Sequence, residues 1–152
     1  MARGIRTTVG LGAVCLGLAV PACGDGGSKG VSKAEYLGRA SRVCRDGNEA
    51  LTKASDEVFA ALPPGQKLSR PEIEEFVRTT VVPTLRDQIG RLRAIPAPKG
   101  RQGRVDQIYD ALDRGLGELE RDPGKLVDGS NVFAEAEALA KKFGLTVCAT
   151  TG

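Results

Sequence analysis

The sequence predicts an all-α protein, a bundle of about four helices, and three observations carry that prediction. Apolar residues recur every three or four positions over four stretches. Two of these stretches open on Ser-x-x-Glu, a capping box in which the serine oxygen can accept the amide three residues on and the glutamate can reach back to the serine amide. Pro and Gly clusters separate the stretches, and no segment alternates with the two-residue period of a strand. The chain has 152 residues, 41% of them apolar and 27% charged, which suits one globular domain plus a targeting segment. The expected division is 1–22 for targeting, 23–31 for a linker and 32–152 for the bundle.

The N-terminus comes first. Met1 to Thr8 carries Arg3 and Arg6 and no acid, and Val9 to Val20 is a short apolar run. A charged start, a short apolar core and a small residue before a cut describe a secretory signal peptide. The run is too short to cross about 30 Å of hydrocarbon, which takes roughly 20 residues. Val20-Pro21-Ala22-Cys23 then resembles the lipobox of bacterial lipoproteins, with an aliphatic residue three before the cysteine and Ala just before it; Pro21 departs from the usual small or aliphatic residue. The resemblance covers residues 1–23. It implies cleavage after Ala22, a diacylglycerol thioether on Cys23, and a protein held on the outer face of a cell membrane. The alternative is an ordinary signal cut near Ala22 that leaves Cys23 a bystander thiol. Cys15 is no rival, because Val14 is too large for the cut site.

Processing changes both the charge and the cysteine count. Of 22 basic residues, Arg3 and Arg6 leave with the signal, so 20 remain against 19 acids. The formal charge of +3 is therefore largely a property of the targeting segment, and no clustered basic footprint calls for nucleic acid. Of four cysteines, Cys15 leaves and Cys23 takes lipid. Cys44 and Cys148 remain, an even pair in an oxidising compartment, and are expected to bond to each other. The rival is a free redox dithiol, which no Cys-x-x-Cys spacing supports. The loop so closed holds about 100 residues, worth about 4.7 kcal/mol by the chain-entropy argument. Gly24 to Val31 is Gly-rich and aperiodic, a flexible tether spanning roughly 15 Å as a random coil.

The helices follow in order. Ser32-Lys33-Ala34-Glu35 caps a first helix, on which Tyr36, Ala40, Cys44, Gly47, Leu51, Ala54, Val58 and Leu62 form an apolar stripe widened by Leu37, Val43 and Phe59. Pro63-Pro64-Gly65 ends it after roughly seven turns. Ser69-Arg70-Pro71-Glu72 caps a second, with Ile73, Phe76, Val77, Thr80, Val81, Leu85, Ile89 and Leu92 at helical spacing. Pro83 lacks an amide proton and clashes with the carbonyl of Thr79, so a kink near Val82 or two shorter helices is expected. Ile95-Pro96-Ala97-Pro98 is an extended connection. A third helix carries Val105, Ile108, Tyr109, Leu112, Leu116 and Leu119, weakened at Gly115 and Gly117 by about 1 kcal/mol each. After a turn at Asp122-Pro123-Gly124, a last helix starts near Ser130 and carries Phe133, Ala136, Leu139, Ala140 and Phe143. Gly144 stands where it can cap that helix, Lys141 and Lys142 suit its negative end, and Leu145 to Cys148 is expected to run extended. Glu35-Tyr36-Leu37 with Cys44, Pro96-Ala97-Pro98, and Phe143-Gly144-Leu145 before Cys148 resemble small helical lipoproteins of high-GC Gram-positive bacteria. No chemistry is assigned to that group, so the resemblance implies a fold and a placement and no site.

Catalytic machinery is not expected. The chain has no His, which removes Ser-His-Asp and Cys-His mechanisms and the common zinc sites. Phosphate-binding glycine loops, the G-x-S-x-G elbow and Ser-x-x-Lys are absent. Asp128-Gly129-Ser130-Asn131 has the composition of a calcium loop without its order, and reads as a loop and helix cap. Paired carboxylates at Asp56-Glu57, Glu74-Glu75 and Asp110/Asp113 lack a cleft with stacking aromatics, and only 4% of the chain is aromatic. Glu72, Glu74 and Glu75 suit the positive end of a helix dipole. No enzyme activity, cofactor or metal is expected.

One local excess stands out. Arg86, Arg91, Arg93, Lys99, Arg101 and Arg104 face Asp87 alone until Asp106. Arg91 and Arg93 suit a helix C-terminus, and the rest suit a solvated loop. The functional alternative makes Arg93, Lys99, Arg101 and Arg104 a contact for an anionic surface. The expectation is a monomeric lipid-anchored binding module for an unidentified protein or envelope partner. The alternative is a small-molecule binder with its pocket between helices beside Pro83.

Overall fold

The computed structural model describes residues 30–149, and the signal segment, the lipobox with Cys23 and the first part of the tether lie outside the described residues. The elements are α1 (Lys33–Ala60), α2 (Arg70–Phe76), a π turn (Val77–Val81), α3 (Val82–Arg93), α4 (Gln102–Arg121), the single-turn α5 (Gly124–Val127), α6 (Ala134–Phe143) and a 3₁₀ turn (Val147–Ala149). No strand occurs among the described residues, and the expected all-α bundle with its Cys44–Cys148 bond is what forms.

Helix α1 starts where Ser32 Oγ accepts the Glu35 amide at 3.1 Å. The Glu35 carboxylate meets Arg39 one turn on. At 28 residues, α1 is about 42 Å long, the longest rod in the bundle. The second cap is reciprocal: the Glu72 carboxylate accepts from the Ser69 amide at 2.7 Å and from the Ser69 hydroxyl at 2.6 Å. These two bonds hold the Glu72 carboxyl below its ordinary pKa.

The conflict at Pro83 is resolved one turn ahead of it. The chain widens into a π turn, in which the Val82 amide donates to Val77 rather than to a residue four back. Pro83 then falls in the first turn of α3, where a missing amide costs little. Thr79 Oγ1 donates to the Glu75 carbonyl and Thr84 Oγ1 to the Thr80 carbonyl, which adds side-chain bonds around the bulge. The expected interruption is present, as a π bulge between two short helices.

Three expectations of detail change. Leu145 to Cys148 is not extended: Leu145 is buried and a 3₁₀ turn follows. Gly144 at φ 104° makes a full Schellman cap, its amide donating to Lys141 and the Leu145 amide to Ala140, and the chain turns back onto α1 instead of running on. Helix α6 begins at Ala134 rather than near Ser130, and its N-cap is Phe133; Asn131 shapes the turn before it, its Oδ1 accepting the Phe133 amide at 3.0 Å. Gly115 is a packing position more than a weakness, since a Cβ there would lie 2.5 Å from the Phe133 ring and 2.6 Å from the Val132 carbonyl.

Two apolar clusters form. The first joins Tyr36, Ala40 and Cys44 of α1 to Val105, Ile108 and Tyr109 of α4 and to Ala140 and Phe143 of α6, with Leu92 and Leu145. Cys44 and Cys148 bridge it with their Cα atoms 5.2 Å apart. The second holds Val77, Val82, Ile89, Leu116 and Leu119. The tether is shorter than expected at its folded end: Val31 packs on the first cluster, and its carbonyl accepts the Lys99 amide at 3.4 Å.

Candidate functional site

The buried tyrosine hydroxyls are satisfied by each other and by the backbone. The two tyrosines of the chain meet inside the first cluster, hydroxyl to hydroxyl at 2.9 Å. Tyr109 donates its proton to the Leu92 carbonyl at 2.7 Å, so the Tyr36 hydroxyl must be the donor to Tyr109. Burial, the largest cause in each case, pushes both phenols above the ordinary tyrosine value. The relay ends on a backbone carbonyl and satisfies both phenol protons. The sequence placed both residues on apolar stripes, and no signal in it pairs them.

Beside the relay lies a cavity of about 50 Å³, bounded by Tyr36, Cys44, Gln88, Ile108, Tyr109 and Leu145. Gln88 Oε1 is buried next to it without a hydrogen-bond partner. A space of that size suits a few waters, and is far below the roughly 300 Å³ of a small-molecule pocket.

The larger concavity is on the surface. The far half of α1 stands away from α2 and the π turn and leaves an apolar trough. One part, of about 270 Å³, is lined by Val58, Phe59, Ile73, Phe76 and Leu126 among others. The other, of about 370 Å³, continues past Val81 and Leu126 to Leu51, Leu85 and Phe133. Phe59, expected to widen a covered stripe, is 59% exposed, and Leu126 is 42% exposed. An uncovered Phe forgoes much of the roughly 1.5–3 kcal/mol that full burial of such a side chain contributes. The trough is therefore an exposed apolar patch of the kind that marks an interaction surface. A charged clamp positions its rim. Arg70 holds Asp128 through two bonds of 2.8 and 3.0 Å and Glu74 through one of 2.9 Å, tying α5 with Leu126 to α2. Bonding to Arg70 is the main cause that lowers the Asp128 pKa, and bonding to Asp128 the main cause that raises that of Arg70.

The basic stretch divides. Arg86 reaches Glu120 at 2.6 Å, and Arg91 reaches Asp46 at 2.7 Å. Arg93 pairs with Asp113 and lies over the Tyr109 ring, 5.5 Å from its centre. Arg93 is thus withdrawn from the expected four-residue contact by a partner from α4. Arg91 likewise ties α3 to α1. Lys99, Arg101 and Arg104 stay exposed without a carboxylate within 4.0 Å among the described residues. Asp128 is spent on Arg70, Asp113 on Arg93 and Glu118 on Lys125, so these carboxylates serve as ties between elements. Among the described residues no group of His, Cys, Asp and Glu is placed to hold a metal ion, and no helix is long and apolar enough to cross a membrane.

Fold and faces together define a small disulfide-closed helical domain with an open apolar trough. The chain matches no family model, no curated protein and no solved structure.

Proposed function

We propose that this protein is an exported, lipid-anchored and non-catalytic binding module that engages an apolar segment of an envelope partner in the trough between α1 and α2. The observation that carries the reading is the uncovered Phe59 and Leu126 at the end of the bundle remote from the tether. Gly30 enters beside the start of α1 and Phe59 lies near its end, roughly 35–40 Å along the helix at 1.5 Å per residue. A domain held at Gly30 carries its apolar trough outward. The lipobox-like Val20 to Cys23 supports the anchor, and two acyl chains hold a protein on a bilayer where one does so only marginally. The small-molecule alternative finds less support, since the more enclosed space holds about 50 Å³ and the parts of about 270 and 370 Å³ are open on the surface.

The test has two arms in intact cells. Wild type and Cys23→Ser are labelled with a fatty-acid probe; label on wild type alone supports the anchor, and equal labelling ends that part of the reading. A photo-crosslinking residue at position 59 is compared with one at Gln107 on the exposed face of α4. A discrete protein adduct at 59, absent at 107 and abolished by Leu126→Ser, supports the trough. Equal adducts at both positions, or none at 59, overturn it.

A further inference from the structure

The three cations that have no carboxylate partner among the described residues stand where the chain enters the domain. Lys99 lies in the loop before α4, Arg101 is the residue before its first turn, and Arg104 is in that turn. The first turn of α4 contains no acid, so three cations gather at the end of a helix whose dipole disfavours them. The nearest following acid, Asp106, accepts a bond from Gln102 at 2.8 Å. The chain enters the domain against this same loop. A Cβ on Gly30 would lie 3.0 Å from the Ala97 carbonyl and 3.0 Å from the Lys99 amide, and the Lys99 amide is bonded to Val31. The last turn of α6, with Lys141 and Lys142, closes at this end too, because Phe143 packs edge-on against Tyr36 at 5.8 Å. Lys33 lies over the Phe143 ring. Six residues separate Cys23 from Gly30, a span of at most about 25 Å fully extended.

We propose that Lys99, Arg101 and Arg104 form a headgroup-contact face that seats the tether end of the domain on anionic lipid. The proposal rests on the anchored reading, since it is the Cys23 lipid that brings these cations to a bilayer. The pairing pattern of the basic stretch supports it: Arg86, Arg91 and Arg93 have acid partners on neighbouring helices, whereas the three beside the tether have none among the described residues. Local charge that opposes the dipole is a cost to the fold, and such departures from local consistency gather at functional surfaces. The anchor supplies the high local concentration that makes a weak contact effective. Seating this end on the bilayer fixes α1 pointing away from it and holds the trough clear of the headgroups.

The experiment uses residues 24–152, which lack the lipidated cysteine. Both buried clusters and the disulfide lie within 31–149, so this chain retains the whole core. Its partition onto phosphatidylglycerol–phosphatidylcholine vesicles and onto pure phosphatidylcholine vesicles is measured at 0.1 M and 1 M salt. The expected result is a preference for the anionic vesicles at 0.1 M that fades at 1 M, where the screening length falls from about 10 Å to about 3 Å. Removing all three cations, as Lys99→Gln/Arg101→Gln/Arg104→Gln, should weaken that partition by roughly fivefold per cation. The variant Lys53→Gln/Lys67→Gln/Arg78→Gln, which loses equal charge at the far end, should bind as wild type does. Circular dichroism of both variants checks that the helices are intact. No preference for anionic vesicles, or equal loss in both variants, overturns the proposal and leaves the anchor standing. Absence of label on Cys23 in cells removes the anchor, and the proposal with it.

Discussion

The half of the molecule around Cys44 and the half around Phe59 share one helix and differ in what covers it. From Tyr36 to Gly47, α1 is enclosed by α3, α4, α6 and the C-terminal turn, with Tyr36, Ala40 and Cys44 fully buried. A disulfide, an edge-on aromatic pair and a hydroxyl relay act there together. From Leu51 to Phe59, the same apolar periodicity faces α2, the π turn, Leu85, the rim of α5 and Phe133 across a trough. The second cluster has aliphatic side chains and no covalent link. Periodicity therefore marks the face that a helix would bury, and the length of the neighbouring helices decides how much of it is buried. The twelve residues of α3, the helix that α1 packs against most, are too few to flank all 28 of α1.

The comparison can be broken most forcefully at the disulfide. Cys44→Ala/Cys148→Ala should cost about 2–5 kcal/mol in denaturant unfolding, the range for removing a native bridge from a small exported domain. A loss below about 1 kcal/mol would mean that the enclosed half does not depend on its staple. Leu119→Ala probes the second cluster, where a fully buried Leu is worth about 2–5 kcal/mol. Phe59→Ala, a larger truncation on the same side of the molecule, should change stability by no more than about 0.5 kcal/mol, as exposed sites do. Equal losses at the two positions would show that the trough is closed in solution.

Tyr109→Phe sharpens the account of the enclosed half. It leaves the Leu92 carbonyl to the Ile95 amide and leaves the buried Tyr36 hydroxyl without its acceptor, a loss of about 1–3 kcal/mol. Tyr36→Phe removes only a donor to Tyr109 and should cost less. The pH dependence follows from the same pair. Both phenols titrate above their ordinary value in the fold, so the neutral forms favour the folded state. That contribution is intact below the unfolded tyrosine pKa of about 10 and is lost as pH rises beyond it. Thermal melts should therefore fall more steeply above pH 10 in wild type than in Tyr36→Phe/Tyr109→Phe.

Much of the architecture was legible because it is local. Ser32, Ser69 and Gly144 act on amides and carbonyls within a turn of themselves, so their roles follow from sequence alone. Pro83 forecast an interruption, yet the π bulge that absorbs it lies in the preceding residues, whose own propensities do not demand it. What the sequence left open depends on distant partners. Arg93 is indistinguishable from Arg101 until Asp113 arrives from α4. Phe59 is indistinguishable from Val43 until the shortness of the other helices leaves it uncovered. Gly115 reads as a weak helix residue until Phe133 is laid across it.

Hydrogen exchange along α1 tests the contrast between its two halves most directly, in residues 24–152 with the disulfide intact. The account predicts slow exchange from Ala40 to Gly47, set by near-global opening, and exchange at least tenfold faster from Thr52 to Ala60, where few buried contacts hold the helix down. Uniform slow exchange through Ala60 would contradict it, and would mean that the far half of α1 is as firmly held as the half that carries Cys44.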